Sequence, residues 1–307
     1  MNICVVGAGA IGGWVAARLA LAGEQVMGLT SRGALDRIDL VEGEERTTAE
    51  LTRFGGHADL LLLAVKATAL TATARSALDR VGPGTVIVPM LNGVPWWFVE
   101  GMTLQSVDPD GAVARALPLA QIIGCVVHAS CSRSAAGVIH VKHADKLIIG
   151  EPGGDSSARL AHVQATFERA GLRPDPTGNV RRAIWYKLWG NATINPLSAI
   201  TRATCDRILA DAECRAWMLA GMAELATIGA AVGCPISESG EDRMAVTARL
   251  GAFKTSMLQD VEAGRPIELE ALLGAPREIA RTHAIAAPAL DRLYGVTRLM
   301  AESLGSG

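Results

Sequence analysis

Glycines spaced as G-x-G-x-x-G follow the first short apolar segment of this chain, and they constrain its fold more than any other feature. Residues 2–6 are typical of a buried strand, and the Ala- and Leu-rich residues after the glycines are typical of a helix. This order predicts a tight turn and a helix whose first amides bind a pyrophosphate. We therefore expect a Rossmann-like α/β domain at the N-terminus. The predicted cofactor-binding residues of the turn are Gly7, Ala8, Gly9, Ala10, Ile11 and Gly12.

The predicted second strand is followed by an arginine, at the place where enzymes that use NAD have an acidic residue. Residues 25–29 are largely apolar, and Thr30, Ser31 and Arg32 follow them. A carboxylate at this place would bind the ribose 2′-hydroxyl of NAD, whereas a guanidinium beside hydroxyl groups can bind a 2′-phosphate. We therefore predict that Arg32 contacts the 2′-phosphate and that the cofactor is NADPH, although an arginine exposed in a loop is the alternative.

Two further polar side chains follow predicted strands in the N-terminal half. The very apolar residues 59–65 run into Lys66, and residues 85–90 are soon followed by Asn92 and Gly93. The carboxyl ends of parallel strands form the edge at which doubly wound sheets bind ligands. Lys66 and Asn92 are therefore candidates to contact the nicotinamide side of the cofactor. A solvated lysine and an ordinary Asn-Gly turn would give the same pattern.

Length and charge limit the classes of protein to which the chain can belong. At 307 residues, two domains are expected. Half of the residues are hydrophobic and a fifth are charged, which is typical of a helix-rich α/β protein. The formal net charge is -2 and no basic block occurs, so neither nucleic acid nor an anionic membrane is an expected partner. A small-molecule substrate is expected instead.

Cysteine usage predicts a cytoplasmic location. The six cysteines form no Cys-x-x-Cys pair, and several lie in apolar segments typical of reduced, buried thiols. The start of the sequence lacks a cationic leader, and no apolar run approaches the ~18 residues of a membrane span.

His140 and His143 lie in an alternating segment, in which residues three apart point to opposite faces of a strand. We therefore expect no metal site.

The second half of the chain has a helical pattern. A segment rich in proline and glycine, residues 171–178, precedes it and is the predicted boundary. The expected domains are a Rossmann-like NADPH-binding domain over residues 1–176 and an all-α substrate-binding and catalytic domain over residues 177–307. Because Pro196 disfavours helical geometry in the residue before it, the first helix should end or kink at Asn195. Apolar periodicity predicts helices over residues 180–195, 205–232, 241–262, 268–283 and 289–303.

Lys187, Asn191 and Asn195 recur every fourth residue of the first of these helices. Side chains at this spacing share one helix face, while tryptophans and aliphatic residues cover much of the remaining surface. For an arbitrary set of such residues, a polar face in water is the simpler explanation. Here the apolar flanks favour burial, and buried polar groups without partners would cost roughly 1–3 kcal/mol each. We therefore expect the stripe to line a cleft and to bind a polar ligand.

Taken together, these motifs resemble the ketopantoate reductase family, the NADPH-dependent 2-oxo acid reductases of pantothenate biosynthesis. The resemblance spans essentially the whole chain and includes the run Ser256-Met257-Leu258-Gln259-Asp260 followed by Glu268. It implies that Lys187 is the catalytic acid. It also implies that Glu268 binds the substrate hydroxyl beside the catalytic group. The residues implied to hold the substrate carboxylate and neighbouring oxygens are Asn191, Asn195 and Ser256.

The resemblance further implies that Lys66, Asn92 and Glu268 contact the cofactor, and that Asn92 also contacts the substrate. The implied reaction is reduction of a 2-oxo acid to a 2-hydroxy acid, with ketopantoate to pantoate as the first choice. Hydride transfer to a ketone builds negative charge on its oxygen, so the site needs a cation or acid within hydrogen-bond reach. Lys187 can supply both. The resemblance leaves a homodimer open.

Two departures from the family pattern bear on the substrate. Ala69 stands where the family often has a glutamine, which removes one cofactor contact. The loop after Gly93 continues as Val94-Pro95-Trp96-Trp97-Phe98 where small or flexible residues are usual. If this bulky loop lines the substrate pocket, a 2-oxo acid other than ketopantoate is the alternative substrate.

Two other functions share part of this pattern. A β-hydroxyacid or 6-phosphogluconate type dehydrogenase has the N-terminal domain and a helical Lys-x3-Asn pair, but it has glycines shortly before the lysine where this chain has residues 181–186. A redox sensor that binds NADPH without turnover would keep the glycine turn. A sensor would not need the set from Lys187 to Glu268, so the reductase is the preferred prediction.

Overall fold

The computed structural model describes residues 1–305, which form two compact units. The first unit contains residues 1–91 and 112–183, and the second contains residues 92–111 and those from 184 onwards. The chain passes from the first unit to the second after residue 183, close to the boundary predicted between residues 176 and 177, which stays a prediction. The segment 92–111 belongs to the second unit because its side chains pack there; the ring of Phe98 stacks on Trp185 with 5.5 Å between centroids.

A five-stranded sheet begins the first unit and has the predicted Rossmann-like arrangement. Four of its strands are parallel, and one short antiparallel strand forms an edge. Because these four strands run parallel, their carboxyl ends lie at one edge of the sheet. In spatial order the strands are β3 (Gly33–Leu35), β2 (Gln25–Thr30), β1 (Asn2–Val6), β6 (Leu60–Leu63) and β7 (Val86–Pro89).

A second sheet completes the strands of the first unit. It contains a hairpin over residues 37–50, and residues 139–150 form one long strand. This strand pairs antiparallel with the strand before it through a turn at residues 134–138. The strands are β4 (Arg37–Glu42), β5 (Glu45–Glu50), β8 (Gly124–Arg133), β9 (Ile139–Gly150) and β10 (Pro174–Pro176).

The helices of the first unit are α1 (Ala10–Leu21), α2 (Leu70–Ala77), α3 (Ala112–Ala116) and α4 (Ala158–Arg169). Helix α1 contacts strands of both sheets, and its Val15 and Leu19 are fully buried. All four leucines of β6 are also fully buried. Burial of each such side chain stabilises the fold by about 1.5–3 kcal/mol. A strand that is buried on both faces has a nearly continuous apolar sequence, which is why β6 could be predicted.

The second unit is helical, as predicted. Its helices are α5 (Val180–Thr201), α6 (Cys205–Ala210), α7 (Ala212–Ala231), α8 (Gly240–Ala248), α9 (Ser256–Glu262), α10 (Ala275–Thr282) and α11 (Pro288–Ser303), with a π-helical turn at Glu270–Gly274. Helix α7 is central, since it packs against α6, α8, α10 and α11. The indole nitrogens of Trp185 and Trp189 donate to the α7 carbonyls of Leu225 at 3.0 Å and Met222 at 2.8 Å.

Helix α5 does not end at Asn195, which contradicts the prediction made from Pro196. It continues to Thr201 with the proline inside it. Thr193, Leu197 and Ser198 are almost completely buried on either side of the proline. Tertiary packing therefore keeps the helix continuous although the proline cannot donate a backbone hydrogen bond.

Two other predicted helices are each divided in two. Asp211 interrupts the stretch 205–232, because its carboxylate accepts from the Cys214 amide at 2.8 Å and caps α7. Residues 249–255 separate α8 from α9, and Gly251 there adopts a φ of 67°. No helix within residues 1–305 combines the length and the apolar character that crossing a membrane would require.

A partly buried ion pair should make the stability of the first unit depend on pH. The Glu151 carboxylate accepts hydrogen bonds from the Ser157 hydroxyl at 2.5 Å and from Arg159 Nε at 2.7 Å. Burial raises the pKa of this carboxyl, but the hydrogen bonds from Arg159 and Ser157 together bring it below its ordinary value of 4.5. A depressed pKa contributes stability that is present above the unfolded-state pKa and is lost as the pH falls through the folded-state pKa.

We expect Glu151→Gln to lower the free energy of unfolding by about 2 kcal/mol at pH 7, because Arg159 then lacks its counter-charge. The difference from wild type should shrink as the pH falls below the ordinary carboxyl pKa of 4.5. Urea unfolding at pH 7 and pH 3 measures both. Glu262→Gln, which removes the exposed pair with Lys254, is the control and should cost less than about 0.5 kcal/mol. An equal loss for Glu151→Gln at both pH values would contradict the assignment.

Candidate active site

The turn between β1 and α1 has the geometry that the glycine spacing predicts. Gly7 adopts a φ of 90°, and a Cβ there would lie 2.6 Å from the Ala64 carbonyl oxygen. A Cβ on Gly12 would overlap the Gly7 carbonyl. Side chains are therefore excluded at both positions by protein atoms. The amides of Gly7 and Ala8 each donate to the Leu29 carbonyl at 2.9 Å, which ties the turn to the end of β2.

The start of α1 offers an open place for an anion. A Cβ on Gly9 would meet nothing closer than the Gly7 carbonyl oxygen at 3.8 Å, so the backbone here faces open space. The first turn of α1 contains no acidic residue. The unsatisfied amides of a helix N-terminus and its dipole favour a phosphate group. The residues present therefore fit a dinucleotide pyrophosphate.

Arg32 lies in the tight turn that joins β2 to β3. The Thr30 hydroxyl donates to the Gly33 carbonyl at 3.0 Å, and the Arg32 amide donates to the same hydroxyl oxygen at 3.2 Å. These bonds hold the turn in place while the Arg32 side chain remains exposed. The position at the end of β2 is the one expected for a group that recognises the adenosine ribose.

Arg32→Ala should raise the Michaelis constant for NADPH about 10-fold and change that for NADH by less than about 2-fold. The reason is that a guanidinium pairs with a 2′-phosphate through charge-assisted hydrogen bonds, whereas a 2′-hydroxyl offers it no charge. Steady-state kinetics with both cofactors measure the ratio. Arg53→Ala, which removes another exposed arginine of the same unit, is the control. Equal effects of Arg32→Ala on both cofactors would show that Arg32 does not bind the 2′-phosphate.

Lys66 lies where the sequence placed it, just beyond β6. It is the N-cap of a short 3₁₀ turn at Ala67–Ala69, and its carbonyl accepts from the Ala69 amide at 2.9 Å. Its side chain is half-buried. Contact of Lys66 with the cofactor stays a prediction.

In the second unit, one chain of hydrogen bonds joins three of the predicted site residues. Lys187 Nζ donates to Asn92 Oδ1 at 3.0 Å, and Asn92 Nδ2 donates to Glu268 Oε2 at 3.2 Å. Glu268 is 8 % exposed, so its carboxylate is largely removed from water. An ammonium can only donate and a carboxylate can only accept, which fixes the orientation of the amide between them. Asn92 therefore connects the proposed acid to the proposed hydroxyl-binding group.

The loop that carries Asn92 is fixed by the segment that carries Glu268. The Val94 amide donates to the Ala271 carbonyl at 2.8 Å. Gly93 adopts a φ of 80°, and a Cβ there would overlap the same carbonyl. Ala271 belongs to the π-helical turn, a kind of turn that occurs frequently at functional sites. This contact sets the position of the Asn92 amide.

The remaining predicted substrate ligands lie on α5 and α9. Asn191 is half-buried, and Asn195 is 6 % exposed on the same helix face as Lys187. Ser256 is exposed and begins α9 directly after the N-cap Thr255. The shared face of Lys187, Asn191 and Asn195 is as expected from their spacing. Substrate binding by these residues and by Ser256 stays a prediction.

The aromatic loop after Gly93 belongs to the core of the second unit. Trp96 and Trp97 are 3 % and 6 % exposed, and Phe98 is fully buried against Trp185. The sequence left open whether this bulk would narrow a substrate pocket. Because Trp96 and Phe98 have almost no exposed surface, most of the loop serves packing.

The sequence placed Asn92 beside the cofactor but did not indicate its bonds to Lys187 and Glu268. The two residues of the first contact are 95 positions apart in the sequence, and those of the second are 176 apart. Local sequence patterns cannot reveal contacts over such separations. The contact of Gly93 with Ala271 was also missed. The Asn-Gly pair was its only sequence signal, because glycine tolerates both the positive φ and the close approach.

Two family models together match most of the chain. The model described as Ketopantoate reductase PanE/ApbA matches residues 3–154, and that described as Ketopantoate reductase PanE/ApbA C terminal matches residues 179–301. The first covers the glycine turn, Arg32 and Asn92. The second covers the helical stripe and Glu268.

Individual proteins agree with these matches. The chain is 36% identical to a 2-dehydropantoate 2-reductase of Mesorhizobium japonicum, with 99% of each chain covered. A crystal structure of a provisionally assigned ketopantoate reductase from Ralstonia solanacearum MolK2 superposes with a TM-score of 0.94 at 44% identity, covering 100% of this chain and 99% of that one. The 2-dehydropantoate 2-reductase of Methylococcus capsulatus superposes with a TM-score of 0.85 at 28% identity and the same coverage. The chain belongs to the ketopantoate reductase family of oxidoreductases.

Proposed function

We propose that this protein reduces ketopantoate to pantoate with NADPH, as a 2-dehydropantoate 2-reductase. The observation that carries the proposal is the hydrogen-bonded set Lys187, Asn92 and Glu268. It offers a proton donor, a neutral positioning group and a carboxylate, which is what reduction of a hydroxylated 2-oxo acid requires. The curated relative from Mesorhizobium japonicum bears the name of this activity.

NADPH supplies the hydride when bound, and the protein must manage the charge that this transfer creates. As the ketone carbon accepts hydride, its oxygen becomes an alkoxide in need of a proton. Lys187 Nζ has three donors, so one hydrogen bond to Asn92 Oδ1 leaves others that can point at the ketone oxygen. The ammonium therefore stabilises the developing charge and then gives up the proton.

Asn92 and Glu268 would position the Lys187 ammonium relative to the substrate ketone. The Asn92 amide donates to Glu268 and accepts from Lys187, so it fixes two groups with one side chain. The Glu268 carboxylate can accept a hydrogen bond from the C4 hydroxyl of ketopantoate. Such positioning contributes to rate because misplacement by about 1 Å can cost about 100-fold.

Neutral side chains on α5 suit the carboxylate of the substrate. Asn191 and Asn195 donate hydrogen bonds without adding a cation that would compete with Lys187 for the ketone. Ser256 can add a hydroxyl. A redox sensor without turnover would have no use for this set, which favours the enzyme.

Location and assembly extend the proposal. We propose a cytoplasmic enzyme, because four of the six cysteines are buried thiols. Burial raises the pKa of the Cys4 thiol to about 11, which keeps it unreactive. A homodimer is also proposed; a Staphylococcus aureus ketopantoate reductase is dimeric, and light scattering of the purified protein tests this.

Substrate choice is tested by NADPH oxidation with ketopantoate and with a panel of linear and branched 2-oxo acids. Ketopantoate should give the highest kcat/KM of the uncharged-tail acids, since Glu268 can bind its hydroxyl. The matched control is the 3,3-dimethyl acid that lacks the C4 hydroxyl. If both acids were reduced equally well, Glu268 would not bind that hydroxyl. Reduction of other 2-oxo acids without ketopantoate would keep the reaction class and discard the substrate.

A further inference from the structure

Arg243 on α8 has a positive charge that no carboxylate within residues 1–305 pairs with. Its guanidinium lies 5.6 Å from the centroid of the Tyr186 ring, and Nη1 donates to the Thr247 hydroxyl at 3.1 Å. Nε is buried without a hydrogen-bond partner. Among residues 1–305, no acidic side chain forms an ion pair with it. Buried charges in proteins are ordinarily paired, so this arrangement calls for an anion.

A second arginine in the same unit shows the usual arrangement. Arg277 also stacks on a tyrosine, with Cζ 3.9 Å from the Tyr294 ring centroid. Unlike Arg243, it is paired with a carboxylate, since Nε donates to Asp291 at 2.6 Å. Stacking on tyrosine therefore does not by itself replace an anionic partner in this protein.

Gly190 on α5 makes room for the Arg243 guanidinium. A Cβ at residue 190 would lie 2.6 Å from Arg243 Nη2 and 2.9 Å from Cζ. Nη2 forms no hydrogen bond to the described residues and, unlike Nε, retains some exposed surface. Burial lowers the pKa of this guanidinium below its ordinary value. Arginine nevertheless stays charged at physiological pH.

The position of Gly190 on the helix places this cation beside the catalytic lysine. With about 100° per residue, Gly190 lies about 60° to one side of Lys187, while Asn191 and Asn195 lie about 40° and 80° to the other side. The order around the helix is therefore amides, lysine, arginine. If the amides hold the carboxylate and the lysine meets the ketone, the rest of a 2-oxo acid extends toward Arg243.

We propose that Arg243 is a specificity-determining residue that binds an anionic far end of the substrate, so that the enzyme accepts 2-oxo dicarboxylic acids and prefers them to uncharged acids of equal length. This inference rests on the proposed function, because it takes the placement of carboxylate and ketone from it. Nη2 provides the donor, and a carboxylate would supply the missing counter-charge.

The test compares two five-carbon acids that differ only at the far end, 2-oxopentanedioate and 2-oxopentanoate. Wild-type enzyme should reduce the dicarboxylate with the higher kcat/KM. Arg243→Gln should lower kcat/KM for the dicarboxylate by about 10- to 100-fold, mainly through KM, and at least tenfold more than for 2-oxopentanoate. Arg277→Gln is the matched control and should not change the ratio of the two.

A second variant separates a binding role from a structural one. Gly190→Ala keeps the charge but pushes the guanidinium aside, so it should also shift the ratio against the dicarboxylate. Gly295→Ala on α11, where a Cβ would meet open space, is its control. Thermal unfolding with substrate analogues measures binding without turnover. Glutarate should raise the melting temperature of wild type more than that of Arg243→Gln. Pentanoate, which lacks the second carboxylate, should shift the melting temperatures of both proteins equally.

Each outcome has a definite meaning. If wild type reduces ketopantoate and 2-oxopentanoate but not the dicarboxylate, this inference is wrong and the proposed function stands. An unchanged ratio in Arg243→Gln would likewise overturn it. If wild type reduces none of these acids although NADPH binds, both the inference and the proposed function fail.

Discussion

Replacing Lys187 with alanine is expected to lower kcat for 2-oxo acid reduction by about 10²- to 10⁴-fold. Asn92 and Glu268, the two partners of its hydrogen-bonded chain, are an amide and an acid, and neither can supply a cationic proton donor in its place. NADPH binding should persist, because the glycine turn and Arg32 belong to the other unit. Stopped-flow NADPH oxidation measures the rate, and fluorescence titration measures cofactor binding.

Lys254→Ala is the matched control for this prediction. Lys254 is an exposed lysine of the same unit, paired with Glu262 at 2.6 Å. Its removal should change kcat by less than about 2-fold and stability by less than about 1 kcal/mol. A Lys187→Ala enzyme with near wild-type kcat would show that another group protonates the ketone oxygen.

Gly93→Ala is expected to lower kcat by about 100-fold while the protein stays folded. The added Cβ would overlap the Ala271 carbonyl, so the loop must move away from the segment that carries Glu268. Asn92 moves with it and loses its 3.0 Å contact with Lys187. Displacement of a positioning group by about 1 Å typically costs this much. The reduction rate at saturating substrate is the measurement.

Gly56→Ala separates this displacement from simple backbone strain. Gly56 adopts a φ of 76°, close to the 80° of Gly93, but a Cβ there would meet no atom within 4 Å. Both variants therefore incur a similar conformational cost of about 1 kcal/mol. Gly56→Ala should keep its kcat. Similar kcat values for the two variants would remove the contact of Gly93 with Ala271 from the account of the site.

The parts of the fold that follow from local pattern could be predicted. The glycine spacing, the apolar run at residues 60–63 and the acid missing after β2 each depend on neighbours in sequence. The first two led to the Rossmann-like sheet and the third to the choice of NADPH, while the 3.6-residue period led to the helical unit. The four-residue spacing of Lys187, Asn191 and Asn195 likewise placed them on one face.

The parts that depend on long-range packing could not be predicted. Pro196 is a local signal for a helix end, but buried neighbours on both sides keep α5 continuous. The stacking of Phe98 on Trp185 was not predicted either, because it joins the loop after Gly93 to a distant helix. The guanidinium of Arg243 over Gly190 joins residues on two helices with no common motif.

The most direct test of the central claim is the steady-state rate of NADPH oxidation by the purified protein with ketopantoate. We expect pantoate to form in equal amount to the NADPH consumed, with a kcat/KM of at least about 10⁴ M⁻¹s⁻¹, the lower end of the usual range for enzymes on their substrates. NADPH that binds but is not oxidised with ketopantoate would contradict the claim.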